Sequence, residues 1–69
     1  MPWASIDDLP DTLRERLPVH AQEIFLAAFN AAWRQHACDP AVEATAHRIA
    51  WAAVKRRYRK LGEVWVPRG

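Results

Sequence analysis

Two alanine-rich stretches, each with apolar side chains recurring every three to four residues, commit most of this chain to a pair of packed helices. In the first, Ala21, Ile24, Phe25, Ala28, Phe29, Ala32 and Trp33 fall on one arc, with Glu23, Asn30 and Arg34 opposite. In the second, the arc is Val42, Ala46, Ile49, Ala50, Ala53, Val54, Tyr58 and Leu61, with Trp51 at its rim. Small alanines alternate with large rings, so two helices can approach closely while the rings fill the space beside the contact. The spacing predicts long helices over 19–36 and 41–61. Between them Ala37-Cys38-Asp39-Pro40 breaks the period, Asp39 suiting a cap and Pro40 a first turn. Gly62 reads as the left-handed terminator of the second helix.

Upstream, Ile6, Leu9, Leu13 and Leu17 share one face and predict a short helix over 11–17. Pro10 stands at its start, where a missing N–H costs nothing, and Pro18 closes it and opens the next helix. Ser5 and Asp8 read as capping residues. Val64-Trp65-Val66 is β-prone and Pro2 favours an extended 2–4, so these two end segments are expected to pair. The fold class expected is mainly α: a compact three-helix bundle, one helix short and two long. To it is added a minimal two-stranded pairing of the N- and C-terminal segments, and a single domain spans 1–69.

A chain of 69 residues buries a marginal core, and Cys38, the one cysteine, cannot form an intrachain disulfide. Stability must then come from packing the four tryptophans, two phenylalanines and Tyr58. Trp3 and Trp65 could instead stack on a partner; with so few large side chains, core packing is the expectation. The N-terminus is acidic and lacks the apolar stretch of a signal peptide. Apolar runs such as Ile49–Val54 fall far short of the roughly 20 residues of a membrane span, so any role at a membrane is expected to be peripheral.

Charge divides along the chain: residues 1–43 carry a net −4 and residues 44–69 a net +6. On a helical wheel Arg48, Lys55 and Arg59 share a stripe, with Arg56 at its edge and Lys60 following. Such a stripe can track phosphates or an acidic protein surface. It also suits a helix C-terminus and solubilises an outer face, which accounts for many basic stripes without a partner. Arg57 projects toward the apolar arc and is expected to pair with an acid of the first half. His20, His36, His47 and Cys38 match no zinc spacing. Cys38 beside His36 lacks the glycine-rich backbone of an oxyanion site, and capping accounts for Asp7 and Asp8. The expectation is a non-enzyme with no catalytic residues, no cofactor and no metal.

The strings LPVHAQEIFLAAFNAAW (Leu17–Trp33) and TAHRIAWAAVKRRYRK (Thr45–Lys60) are joined by an upstream DLPDTL (Asp8–Leu13) and an opening MPW. Together they resemble the ChaB family of small bacterial proteins. The resemblance implies three helices with a minimal sheet, and structural roles for His20, Gln22, Asn30, Trp33, His47 and Trp51, with His20 bonding across to a neighbouring segment. It further implies a cytoplasmic regulator of a membrane cation/proton antiporter, reaching the inner membrane through that protein partner. The basic residues Arg48, Lys55, Arg56, Arg59 and Lys60 are then the candidate docking surface. The alternative is nucleic-acid binding by the same face, as in compact ChaB modules of proteins described as DNA-binding.

One departure matters. Cation-regulator members of the family carry a long, highly charged loop between the two long helices. Here that place holds HACDPAVEA, whose acids are Asp39 and Glu43. Divalent cations take six or more oxygen ligands, largely carboxylate. We therefore expect no saturable Ca²⁺ or Mg²⁺ binding below about a millimolar, the weak end of such sites. Calorimetric titration checks this, and a saturating isotherm in that range would restore cation sensing to the loop.

Overall fold

Prolines divide the N-terminal third into short pieces, and the rest of the chain follows the alanine pattern. The structure, a computed structural model, describes residues 3–68. A 3-10 turn at Ile6–Asp8 leads to α1 (Asp11–Arg16), α2 (Val19–Gln35) and α3 (Val42–Arg57). Two strands follow, β1 (Tyr58–Leu61) and β2 (Val64–Pro67). Leu9 and Leu17 are buried and Ile6 and Leu13 half-buried, as their shared face requires. The capping expected of Ser5 and Asp8 is not made. Ser5 precedes the 3-10 turn without a side-chain bond, Asp8 lies inside that turn, and α1 opens on Pro10 without a side-chain cap.

α2 and α3 pack antiparallel. Phe25 meets the edge of Trp51 at 5.2 Å between ring centroids, and one turn further along α2, Phe29 meets His47 at 5.0 Å. Ala21, Ala46 and Ala50 are fully covered and Ala32 nearly so, which lets the two backbones approach. Phe25, Phe29 and Val54 are the largest side chains that are completely buried. Trp33 and Trp51 lie at the rim, partly covered. Trp3 and Trp65 also pack inward, Trp3 at 4.3 Å from Phe29 and Trp65 at 5.4 Å from Trp51. The packing role expected of these two end tryptophans is the one observed.

The C-terminal third departs from the sequence expectation. α3 stops at Arg57, and Tyr58 turns to extended backbone at φ −131° and ψ 155°. The sheet is a hairpin of β1 with β2, antiparallel, in the register Tyr58↔Pro67, Arg59↔Val66, Lys60↔Trp65 and Leu61↔Val64. It does not join the two ends of the chain: Trp3 and Ala4 belong to no strand, and Pro2 lies outside the described residues. Closing a two-residue loop costs far less entropy than joining segments some sixty residues apart. Gly62 has a φ of +64°, and Glu63 has no positive φ. That combination is the type II′ turn, with glycine first in a two-residue loop, whose twist matches a hairpin. Gly62 thus turns a hairpin and does not terminate a helix. Leu61, assigned to the buried arc of a longer helix, is instead 57% exposed.

Removal of a fully buried ring should cost most at the centre of the helix pair. We expect Phe25→Ala or Phe29→Ala to lose about 3–5 kcal/mol. Trp33→Ala, at the rim, should lose clearly less. Urea unfolding of the three variants checks the ranking, and a Trp33 variant as damaged as either phenylalanine variant would move the core's centre.

Candidate functional site

α3 carries three of the singled-out cations on its exposed surface: Arg48, Lys55 and Arg56. Arg48 and Lys55 are seven residues apart, two turns or about 10 Å along one stripe, with Arg56 at its edge. The stripe ends there. Arg59 and Lys60 lie on β1, where neighbouring side chains point to opposite faces. Arg59 shares the outer face with Val66, Leu61 and Val64, whereas Lys60 is opposite Trp65 on the face that packs toward Trp51. The helical wheel fails for these two residues because the helix has already ended.

Arg57 is exposed and makes no ion pair with an acid of the first half, contrary to expectation. Among the described residues the one ion pair is Arg14 with Asp11 at 3.6 Å, a surface contact worth little. Arg48, Lys55, Arg56, Arg57, Arg59 and Lys60 therefore have no carboxylate partner among the described residues. The region is a cationic surface at the end of α3 and over the hairpin.

Several of the motif residues make specific contacts within the fold. Gln22 is buried, and its Nε2 donates to Leu17 O at 2.8 Å and to Arg14 O at 3.2 Å. Pro18 has no N–H with which to serve Arg14 O four residues back, so the glutamine amide supplies the missing donor. Asn30 pairs with the backbone of Trp3: its Oδ1 accepts from Trp3 N at 3.1 Å and its Nδ2 donates to Trp3 O at 2.8 Å. A side-chain amide thus takes the place of a neighbouring strand and holds Trp3 over Phe29. His47 lies edge-on to both Trp3 and Phe29, at 6.0 and 5.0 Å. His20 behaves otherwise than expected. It is exposed and its side chain makes no hydrogen bond among the described residues, its ring 6.3 Å from that of Tyr58.

Arg68 was not distinguishable as important in the sequence. A helix leaves its last carbonyls without intrahelical donors. At the end of α3, Val54 O accepts from Tyr58 N, Lys55 O from Arg68 Nε at 2.7 Å, and Arg57 O from Arg68 N at 2.9 Å. The returning strand brings a guanidinium to the negative end of the helix dipole, where a cation is favoured. The signal available was the Gly62-Glu63 loop: once it is read as a II′ turn, the register puts residue 68 beside the helix end.

Among the described residues no three His, Cys, Asp or Glu side chains could together hold a metal ion. Cys38 is exposed, and Asp39 Oδ1 accepts from Ala41 N at 2.8 Å, so this acid shapes the α2–α3 connection. No helix of the described residues is long and apolar enough to cross a membrane.

The ChaB family model matches residues 9–68. A protein of Escherichia coli strain K12 named "Putative cation transport regulator ChaB" is 46% identical over 66 residues, covering 87% of each chain. A protein of Lymantria dispar multicapsid nuclear polyhedrosis virus, "Uncharacterized protein in LEF8-FP intergenic region", is 35% identical over 54 residues, covering 78% of this chain and 72% of its own. A solution structure of the "putative cation transport regulator ChaB" superposes with a TM-score of 0.88 at 39% identity, over 99% of this chain and all of that one.

The Asn30 clamp yields a test. Asn30→Asp keeps an acceptor for Trp3 N but sets a carboxylate against Trp3 O, and Asn30→Ala leaves both backbone groups unpaired. We expect each to cost about 1–3 kcal/mol and to shift the Trp3 indole resonance. A variant that melts like the parent with that resonance unmoved would remove the clamp from the structure's supports.

Proposed function

The chain belongs to the ChaB family, and we propose from that premise that it is a non-enzymatic regulatory module that docks its cationic surface on an acidic protein partner. The observation that carries the reading is the set of exposed cations on α3 and the hairpin with no carboxylate partner among the described residues. Unpaired charges on one surface raise the encounter rate with an oppositely charged surface and fix its orientation. Arg48 and Lys55 on one stripe, with Arg56 beside them, give that surface a straight edge; Arg59 extends it over the outer face of the hairpin, and Lys60 lies on the other face. Exposed Leu61 and Val64, on the outer hairpin face with Arg59, add apolar area beside the charge. Relatives named "putative cation transport regulator" support a partner in cation transport, and the partner in this reading is the cytoplasmic face of a cation/proton antiporter.

Nucleic acid would meet the same cations, and salt separates the two targets. We expect Arg48→Gln, Lys55→Gln and Arg56→Gln together to abolish co-purification with a cation/proton antiporter from membranes of the producing cell, with the melting temperature almost unchanged. Nuclease treatment should make no difference. Sub-micromolar binding to duplex DNA in roughly 150 mM salt, with a log–log salt slope of about −0.9 per phosphate neutralised, would overturn this in favour of a nucleic-acid target.

A further inference from the structure

Where the first turn of α2 comes alongside the end of α3 and the returning β2, the surface forms a shallow, open cleft of about 480 Å³. His20, Arg56, Arg57, Tyr58, Pro67 and Arg68 line it. We propose that this cleft binds a phosphate dianion, free or carried on a small metabolite. It shares Arg56 with the docking edge but not Arg48 or Lys55, and it stands whether or not that edge docks a protein.

Three arginines, a histidine and a tyrosine line the depression, and no carboxylate of the described residues does. Three arginines held on one concave surface repel one another, so an entering dianion removes repulsion as well as adding attraction. A single carboxylate is satisfied by one guanidinium fork, whereas phosphate presents more oxygens and can engage several arginines together. The cleft is open to solvent, so a group attached to the phosphate can extend outward from it.

The end of a helix such as α3 would ordinarily repel an anion with its free carbonyls. Here Val54 O, Lys55 O and Arg57 O are already occupied, the last two by Arg68. The same bonds hold Arg68 in place: its Nε is committed at 2.7 Å, and its two terminal nitrogens have no partner among the described residues. A guanidinium fixed in this way loses less side-chain freedom when an anion arrives. Tyr58, 6% exposed, gives the cleft a rigid wall. His20 lies in the first turn of a 17-residue helix whose Pro18 cap makes no side-chain bond, so the positive end of that helix dipole lies on the cleft's side.

The test is NMR titration of the ¹⁵N-labelled protein with inorganic phosphate and, separately, ribose 5-phosphate, at constant ionic strength. Saturable shifts should appear at Tyr58, Arg68 and the Nε–H signals of Arg57 and Arg68. Arg57→Gln, which removes no hydrogen bond among the described residues, should weaken binding about tenfold or more with the melting temperature unchanged. Arg68→Lys should weaken it similarly, because charge remains but the fork is lost. Arg48→Gln with Lys55→Gln should leave it intact, which separates failure here from failure of the docking edge. Tighter binding of ribose 5-phosphate assigns the cleft to a phosphorylated metabolite, and equal binding assigns it to free phosphate. Shifts that do not saturate by about 10 mM, that acetate reproduces, or that survive Arg57→Gln would overturn the proposal.

Discussion

The close contact between α2 and α3 sets the position of nearly everything else in this molecule. Ala21 and Ala32 on one helix, and Ala46 and Ala50 on the other, contribute almost no side chain at the contact. The backbones can then come near enough for Phe25 and Phe29 to be enclosed completely, although neither helix is long and the chain is small. Each further layer rests on those two rings: Trp3 and His47 lie against Phe29, and Trp51 against Phe25. Trp65 then rests on Trp51, which ties the hairpin to the helix pair. Because the helices run antiparallel, the start of α2 comes beside the end of α3, which brings His20 next to Tyr58.

Three side chains supply backbone partners that regular structure leaves missing. Gln22 donates to the carbonyls at the end of α1, Asn30 takes the place of a strand beside Trp3, and Arg68 closes the end of α3. The bond from Gln22 to Leu17 O is buried, where an unpaired group costs about 1–3 kcal/mol, a large fraction of the stability of a domain this size; the Arg68 bond is exposed and contributes less. Prolines and an extended N-terminal segment are tolerated because each is matched by a specific amide or guanidinium. His20, Gln22, Asn30 and His47 occur in the same family strings, yet Gln22, Asn30 and His47 brace the interior while His20 opens on the cleft.

The helix pair was legible in the sequence because its signal is periodic: two apolar arcs with alanines at the contact admit one arrangement. Short-range competition hid the hairpin. Arg59, Lys60 and Leu61 are good helix formers, and Gly62 suits the end of a helix as well as a II′ turn. Only the two-residue spacing between Leu61 and Val64, together with the β-prone Val64-Trp65-Val66, favoured the turn, and tertiary packing of Trp65 on Trp51 decides it. The candidate surface depends on the same choice: a helical period of 3.6 puts Arg59 on the stripe of Arg48 and Lys55, whereas a strand with a period of two sends Arg59 and Lys60 to opposite faces. The role of Asn30 was hidden for a related reason: a polar residue opposite an apolar arc reads as solvated, and its partner, Trp3, is 27 residues away.

The concentration of positive charge follows from the same geometry. A cation near a helix C-terminus is stabilised by the dipole and by the carbonyls it can reach. In α3 two of those carbonyls, of Lys55 and Arg57, are taken by Arg68, which arrives from the far strand of the hairpin. Lys55, Arg56 and Arg57 occupy the last turn of the helix without serving its carbonyls among the described bonds, and no described carboxylate pairs with them. Their contribution to holding the fold is accordingly small, since exposed charges away from a bonded network change stability by about half a kcal/mol or less. Arg68 alone belongs to both sets: it closes the helix and lines the cleft. The hairpin that carries it is therefore what joins the stability of α3 to the shape of the anion-facing surface.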